Sequence, residues 1–212
     1  MATPAELGPP PSRSLPGGWT GHAQPYIAVA AAPRPGILLD RDGTIIVDHG
    51  YVGSVDRVEL IDGAAEAIAE FNRRHIPVAV VTNQSGVARG MYGANDVDKV
   101  HQHLARLLTT NQARIDLFLY CPYHPEGVVK RFARPSCHRK PGPGMAKTAE
   151  AALNLDLAAS WVVGDRHEDI GMAEAVGASA IYLGSDPLKL PRVWSFPSLA
   201  AAAPFILERV AR

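Results

Sequence analysis

The sequence predicts an α/β fold built on a doubly wound parallel sheet. Short apolar runs alternate with amphipathic segments from residue 37 onward, several runs are rich in β-branched residues, and polar clusters follow the runs where they end. Alternation of strands and helices is typical of a parallel sheet that is covered by helices on both faces. Such sheets bind their ligands at the carboxyl ends of the strands.

The strands are predicted from the apolar runs. Their lengths and β-branched residues favour buried strands over helices. In chain order they are GILL, IPVAVV (Ile76–Val81), IDLFLY (Ile115–Tyr120), SWVVG and SAIYL.

Helices are predicted between these strands. The first follows Asp62, a residue type that caps helix N-termini, and the second is expected to be capped by Asn95. GMAKTAEAALNL gives a third helix, and EDIGMAEAVG gives a fourth that ends at Gly177. SLAAAAPFILERVA closes the chain as a helix that Pro204 should interrupt. Helical spacing assigns an inward direction to Ala67, Ile68 and Phe71 in the first helix, and to Val97, Val100, Leu104, Leu107 and Leu108 in the second.

The length of 212 residues suggests one domain with a tail. Residues 1–35 are rich in Pro, Gly and Ala and are expected to form an arm that is poorly ordered or laid over the surface, with the domain spanning 36–212. Tyr26–Pro33 (YIAVAAAP) is interpreted as part of this extension and not as a signal peptide, because no basic segment precedes it. A cytoplasmic protein is therefore expected.

The overall charge argues against nucleic acid as a partner. The 21 basic and 21 acidic residues balance, whereas binding to a phosphate backbone usually shows a basic excess. No apolar run is long enough to span a bilayer, so no membrane partner is expected. The two cysteines do not suggest a disulfide-rich secreted scaffold.

Polar clusters follow three of the predicted strands. Asp40 and Asp42 follow the first, residues 82–85 follow the second, and Asp165 follows the fourth. If these strands are parallel neighbours, the clusters converge on one rim, where Asp40 and Asp165 could supply the carboxylates that Mg²⁺ takes beside waters and phosphate oxygens. Taken alone, DRDG could also be a plain β-turn, while the spacing of an EF-hand calcium loop is not met.

The same residues could divide the work of phosphoryl transfer. Asp40 could attack phosphorus while Asp42, two residues on along an extended chain, hands a proton to the leaving oxygen. Thr82 and Asn83 could hold phosphoryl oxygens, and Lys140 could offset the charge of the carboxylates. Simpler interpretations remain open: an ordinary turn at 82–85, a solvated basic loop at Arg139–Lys140, and a helix N-terminus that favours Glu168 and Asp169.

These motifs resemble those of the haloacid dehalogenase superfamily of aspartate-nucleophile phosphatases. Its four motifs are matched by DRDGT, TNQSG, Lys140 and GDRHED, and the resemblance covers roughly residues 36–184. The lack of a large insertion after DRDGT, or between TNQSG and Lys140, implies a capless single domain with the Rossmann-like fold of that superfamily. DHGYV and TNQSGVARG are more similar to the branch that dephosphorylates heptose bisphosphate than to the histidinol-phosphatases.

The resemblance implies a role for each matched residue. Asp40 would be the nucleophile and a magnesium ligand. Asp42 would be the proton donor and would also bind magnesium through its backbone carbonyl, and Asp165 would be the third magnesium ligand. Thr82 and Lys140 would stabilise the phosphoryl group and Arg139 would recognise substrate. The remaining substrate-binding residues would be Asp48, His49, Gly50, Tyr51, Asn83, Gln84, Ser85 and Arg166. Arg166 stands where the family often has Lys, so a charge role is implied there and a role for a neutral amine is not.

The family commonly holds a structural zinc in a Cys-rich loop, and this chain departs from that pattern. The matching positions are Cys121, Tyr123, Ser136 and His138, of which Tyr and Ser are poor zinc ligands. Two neighbouring residues could substitute, which gives the candidate set Cys121, His124, Cys137 and His138.

The resemblance implies Mg²⁺-dependent hydrolysis of the 7-phosphate of D-glycero-D-manno-heptose 1,7-bisphosphate, in the synthesis of nucleotide-activated heptose for lipopolysaccharide. The expected partner is a small sugar phosphate, and the expected state is a monomer or weak homo-oligomer. Two alternatives remain open: a phosphatase of the same fold for histidinol phosphate or another small phosphate ester, and a catalytically silent binding module.

Overall fold

The computed structural model describes residues 13–15, 19–23, 32–184 and 189–210, with the backbone alone for the first two ranges. Within these residues eight strands form one sheet, in the order β1-β2-β5-β4-β3-β6-β7-β8. Their bounds are Arg13–Leu15 (β1), Trp19–Ala23 (β2), Ile37–Leu39 (β3), Val78–Asn83 (β4), Leu117–Cys121 (β5), Trp161–Gly164 (β6), Ser179–Leu183 (β7) and Val193–Phe196 (β8).

The six strands from β3 to β8 run parallel. β3 lies at the centre, where Ile37 is in register with Val78 of β4 on one side and with Trp161 of β6 on the other. The carboxyl ends of these three strands therefore meet at one edge of the sheet. Parallel strands that are buried on both faces read as nearly continuous apolar runs, which is why β3 to β7 were visible in the sequence.

Five α-helices of the described residues cover the two faces of the sheet, and two short 3₁₀ helices lie at Val55–Arg57 and Leu157–Ala159. Alternate strand residues feed two separate cores, as the two-residue period of a strand requires. Leu39 packs in the core that includes residues of α1, α2 and α5, and Leu38 packs in the core that includes residues of α3 and α4. The helix bounds are Ala64–Arg73 (α1), Ala94–Thr110 (α2), Gly144–Leu153 (α3), His167–Val176 (α4) and Leu199–Val210 (α5).

Both predicted N-caps are wrong. α1 is preceded by Gly63 in the left-handed region (φ 75°) and not by a capping side chain of Asp62. α2 begins at Ala94, and Asp96 accepts a hydrogen bond from the backbone N–H of Gly93 at 3.0 Å. A capping carboxylate inside the first turn replaces the expected cap at Asn95.

The predicted interruption at Pro204 is also wrong, because α5 runs through it. Proline removes one N–H donor, which leaves the carbonyl of Ala200 without its helical partner. Both residues lie on the exposed side of α5, where water can satisfy that carbonyl.

Leu107 of α2 is half-buried, whereas the other inward residues predicted for α1 and α2 are buried. β8 was not predicted, and its four residues are all half-buried.

β1 and β2 lie within the N-terminal stretch that the sequence assigns to an extension. β2 pairs antiparallel with β5, the outermost parallel strand on that side, and His22 is in register with Phe118. The rest of that stretch up to residue 31, including most of YIAVAAAP, lies outside the described residues, so the boundary near residue 35 stays a prediction. Among the described residues, no helix has the length and apolar character needed to cross a membrane.

Candidate active site

A cavity of about 340 Å³ opens at the edge of the sheet where the carboxyl ends of β3 and β4 meet. All four predicted catalytic residues and eight of the nine predicted substrate-binding residues line it. Its lining residues are Asp40, Asp42, Asp48, Gly50, Tyr51, Thr82, Asn83, Gln84, Ser85, Tyr92, Arg139, Lys140, Arg166 and Glu168. The exception is His49, which faces Glu59 instead, with Nε2 and Oε2 3.0 Å apart.

Asp40 follows β3 directly and is held from the neighbouring strand. Its backbone N–H donates to the carbonyl of Val163 in β6 at 2.9 Å. The residue is 7% exposed, and Oδ1 lies 2.8 Å from Nζ of Lys140. The buried carboxylate of Asp40 is therefore paired with the positive charge of Lys140 at the carboxyl end of β3.

Lys140 is 3% exposed and reaches the site from the loop that precedes α3. Besides Asp40, its ammonium group contacts Oδ1 of Asp169 at 2.5 Å and the carbonyl of Val81 at 2.8 Å. Burial alone would lower the pKa of Lys140, but the charges of Asp169 and Asp40 outweigh that effect and hold the pKa above its usual value. Lys140 therefore stays protonated and provides a fixed positive charge.

Asn83 fixes the main chain of Lys140. Its Oδ1 accepts from the N–H of Lys140 at 3.0 Å, and its Nδ2 donates to the carbonyl of the same residue at 3.1 Å. Asn83 is thus a clamp between β4 and the lysine loop as well as a residue of the cavity wall.

Asp42 is held by two neighbours inside the cavity wall. The guanidinium of Arg41 contacts both carboxylate oxygens at 2.9–3.3 Å, and Nε2 of Gln84 donates to Oδ2 at 2.9 Å. Arg41 is fully buried and also donates to the carbonyl of Val52. Burial raises the pKa of Asp42 above its usual value, although the Arg41 charge opposes the rise. A carboxyl group with a raised pKa is suited to give up a proton during a reaction.

Asp165 follows β6 and faces Asp40 across the sheet edge. Its Oδ1 is buried and has no hydrogen-bond partner. Burial raises the pKa of Asp165 to about 6, and the neighbouring Asp40 charge adds to the rise. Gly43 comes so close that a Cβ there would lie 2.4 Å from Oδ2, and its φ of 78° also favours glycine.

Asp40, Asp165 and Asp169 are the one cluster in the described part of the chain that could hold a metal ion, with ligand atoms within 4.8 Å of one another. Asp169 is already committed, because Oδ1 pairs with Lys140 and Oδ2 accepts from the N–H of Arg166 at 3.0 Å. Asp40 and the unpartnered Oδ1 of Asp165 are then the oxygens open to a cation. Two carboxylates with room for water and phosphate are what Mg²⁺ takes, so these residues fit the ion.

Arg166 bridges the mouth of the cavity. Its Nη2 lies 2.7 Å from Oδ2 of Asp48, and its Nε lies 3.4 Å from Oδ2 of Asp165. The side chain is 62% exposed, which suits a group that binds a ligand from the solvent side.

The four zinc candidates do not form a metal cluster among the described residues. Cys121 is buried at the end of β5, whereas Cys137 is exposed and lies 3.6 Å from Nδ1 of His138. The ring nitrogens of His124 face Arg89 Nη2 and the backbone N–H of Glu126.

Three residues that matter to the site were missed in the sequence. Arg41 was visible as a basic residue between two carboxylates, and Asp169 as the acidic residue one helical turn after Asp165. Tyr92 carried no local signal, since it reaches the cavity from the loop before α2.

Comparison with known proteins places these features in a family. The family model "HAD-hyrolase-like" matches residues 137–187. A D-glycero-beta-D-manno-heptose-1,7-bisphosphate 7-phosphatase from Escherichia coli K12 is 38% identical over 179 residues, which cover 84% of this chain and 90% of the relative. The parallel sheet and the aspartate–lysine cluster are thus those of a haloacid dehalogenase phosphatase. Within that class, the chain belongs to the family of heptose-1,7-bisphosphate 7-phosphatases, which are phosphoric monoester hydrolases.

Solved structures agree in fold. A protein from Mesorhizobium loti described as a HAD-like phosphatase has a TM-score of 0.81 at 33% identity, covering 90% of this chain and 93% of its own. The D,D-heptose 1,7-bisphosphate phosphatase of B. bronchiseptica, complexed with magnesium and phosphate, has a TM-score of 0.71 at 28% identity, covering 82% of this chain and 98% of its own.

Proposed function

We propose that this chain hydrolyses the 7-phosphate of D-glycero-β-D-manno-heptose 1,7-bisphosphate, giving the heptose 1-phosphate and inorganic phosphate for nucleotide-activated heptose synthesis. The observation that carries the proposal is the convergence of Asp40, Lys140 and Asp165 at one strand edge of a chain 38% identical to enzymes of that name. The β anomer is the form in the relatives' names.

The chemistry follows from the positions of two aspartates. A carboxylate oxygen of Asp40 attacks phosphorus, and the bond from phosphorus to the C7 oxygen breaks. Asp42 gives its proton to that oxygen, so the sugar leaves as an alcohol. Asp42 then takes a proton from a water molecule that attacks the aspartyl phosphate, which releases phosphate and restores the Asp40 carboxylate.

The surrounding groups neutralise and hold the transferred phosphoryl group. The Lys140 ammonium provides a fixed positive charge beside Asp40. The Thr82 oxygen accepts a hydrogen bond from Gln84 at 2.9 Å, which leaves its hydroxyl proton to donate to a phosphoryl oxygen. Positioning and charge neutralisation supply most of the rate in phosphoryl transfer, so this short set of groups suffices.

Magnesium is the metal that these residues would hold, through Asp40, Asp165 and the backbone carbonyl of Asp42. When bound, the ion supplies positive charge that neutralises the carboxylates and the phosphate oxygens. The uncommitted Oδ1 of Asp165 supports this assignment.

The zinc candidates support no second metal in this chain. Structural zinc needs four ligands in a closed tetrahedron, and adjacent ligands such as Cys137 and His138 fit that geometry poorly. We propose that packing holds the loop after β5, where the Tyr123 and Phe132 rings meet at 5.8 Å and the Arg134 guanidinium lies over the Tyr123 ring.

A cytoplasmic location and a monomeric or weakly associated state are part of the same proposal. A substrate with two phosphate groups crosses an apolar bilayer poorly, so its enzyme should share the compartment in which it is made.

A substrate panel followed by ³¹P NMR tests the function. The panel contains both anomers of the heptose bisphosphate, histidinol phosphate and p-nitrophenyl phosphate. We expect loss of the 7-phosphate signal with the 1-phosphate retained, at a kcat/KM about a hundredfold above that for histidinol phosphate. Preference for histidinol phosphate would instead assign the related phosphatase activity, and no turnover of any ester would indicate a silent binding module.

A further inference from the structure

Tyr92 lines the cavity and is joined to the groups around Asp42 through Gln84. Its hydroxyl donates to Oε1 of Gln84 at 2.8 Å. Nε2 of the same Gln84 amide donates to Oδ2 of Asp42 and to Oγ1 of Thr82, both at 2.9 Å. The phenol, the amide and the carboxylate therefore form one chain of hydrogen bonds.

The Gln84 amide has one productive orientation in this chain. If it were flipped, its oxygen would face Oδ2 of Asp42 and Oγ1 of Thr82, and both N–H donations to these atoms would be lost. The Tyr92 hydroxyl donates to the amide oxygen in the observed orientation, so it stabilises the orientation in which the amide nitrogen faces Asp42 and Thr82. Burial raises the pKa of Tyr92 to about 12, so the phenol keeps its proton under physiological conditions.

The ring of Tyr92 is itself held by two glycines. A Cβ at Gly53 would lie 2.2 Å from the ring, and a Cβ at Gly86 would lie 2.4 Å from it. The ring is thus packed between the loop that follows DHGYV and the loop that follows TNQS. Its hydroxyl has a fixed place relative to Gln84.

We propose that Tyr92 is a positioning residue for the proton donor: through Gln84 it holds the Asp42 carboxyl aimed at the leaving oxygen. The proposal rests on the proposed function, in which Asp42 protonates that oxygen. It assigns Tyr92 a role in the first half of the reaction and no direct contact with phosphorus.

Comparing esters with different leaving groups distinguishes a positioning role of Tyr92 from a purely structural one. A sugar C7 oxygen or any alkyl oxygen needs a proton as it departs, whereas p-nitrophenolate leaves as a stable anion and gains little from a general acid. The ratio kcat/KM contains only the steps up to release of the alcohol or phenol, so it reports the step in which Asp42 acts as acid.

The test compares Tyr92→Phe with the wild type on a primary alkyl phosphate and on p-nitrophenyl phosphate. The variant keeps the ring between the two glycines and removes only the hydroxyl. We expect kcat/KM to fall about tenfold for the alkyl ester and less than about twofold for the aryl ester. Equal losses on both esters, no loss on either, or a larger loss on the aryl ester would overturn the proposal.

Two further variants keep the outcomes distinct. Tyr123→Phe removes a phenol that accepts from Arg134 outside the cavity, and it should change neither ester. Asp42→Asn should show the same selective loss as Tyr92→Phe, to a greater degree. If Asp42→Asn loses kcat/KM equally on both esters, Asp42 is not the proton donor. If Asp42→Asn shows the selective loss on the alkyl ester but Tyr92→Phe does not, Tyr92 does not position Asp42. Wild-type turnover of the heptose substrate is scored separately, so a wrong substrate assignment leaves this comparison valid.

Discussion

Two regions of this chain carry metal-ligating residue types, and only one of them assembles a site. Asp40, Lys140 and Asp165 are far apart in sequence but converge at the edge of the sheet. Cys121, His124, Cys137 and His138 are close in sequence, yet they form no metal cluster among the described residues. Nearness along the chain is therefore a poor guide to a site, while a shared strand edge is a good one.

The physical reason is the register of the sheet. Backbone hydrogen bonds of β3 to β4 and to β6 fix where each strand ends, so side chains that follow those strands must meet. The zinc candidates have no such frame, whereas Lys140, later in the same loop, is fixed by Asn83 of β4. The two cysteines face different surroundings, one buried in the core and one exposed.

The largest effect should come from the nucleophile at the sheet edge. Asp40→Asn keeps the shape of the side chain and removes the attacking oxygen's charge, so kcat/KM should fall at least about a thousandfold. Asp56→Asn, on the exposed 3₁₀ helix at Val55–Arg57, is the matched control and should leave turnover unchanged. Near-normal activity in folded Asp40→Asn protein would rule out the covalent route.

Removal of the second carboxylate that holds Lys140 should destabilise the fold. Asp169→Ala leaves the buried ammonium with one carboxylate partner, and breaking a buried pair costs about 3–5 kcal/mol. Urea denaturation measures the change in the free energy of unfolding. Glu150→Ala breaks an exposed pair with Lys147 and should cost about 0.5 kcal/mol or less. Equal losses in the two variants would contradict the assigned role of the buried pair.

Magnesium should reverse the stability order of wild type and Asp165→Asn. Without metal, the variant should melt higher, because it removes a carboxylate whose charge is disfavoured by burial and by the neighbouring Asp40. With Mg²⁺ at about a hundredfold above its Kd, the wild type should gain about 2.7 kcal/mol and the variant much less. Thermal melts with and without the ion measure this, and an unchanged order would show that Asp165 is not a ligand.

The smallest effect should come from the loop after β5. Cys137→Ser should change the free energy of unfolding by about 0.5 kcal/mol or less, because the side chain is exposed. Cys121→Ser should cost more, about 1–3 kcal/mol, since it puts a hydroxyl into the core. Metal analysis of the purified protein should find no stoichiometric zinc. One zinc ion per chain in the wild type that is lost in both variants would instead show that these cysteines bind zinc.

The sequence predicted the site residues that follow the strands and missed the contacts that depend on how separate loops pack. Asp40, Asp42 and Thr82 were assigned to one rim, and they line one cavity. Asp165 was assigned to the same rim, and it lies in one carboxylate cluster with Asp40. Both helix caps were wrong because α1 begins after Gly63 with no side-chain cap, and Asp96 caps α2 from inside its first turn. Tyr92 was missed because its contact with Gln84 depends on how two loops pack, which local residue patterns do not encode.

A rapid acid quench of a single turnover tests the central claim most directly. Mass spectrometry of the peptide that contains Asp40 should find a phosphate adduct on that residue, which rises and decays as the sugar product forms and phosphate is released. The adduct should be absent from Asp40→Asn. Complete turnover with no adduct at any quench time, or an adduct on a different residue, would contradict the account.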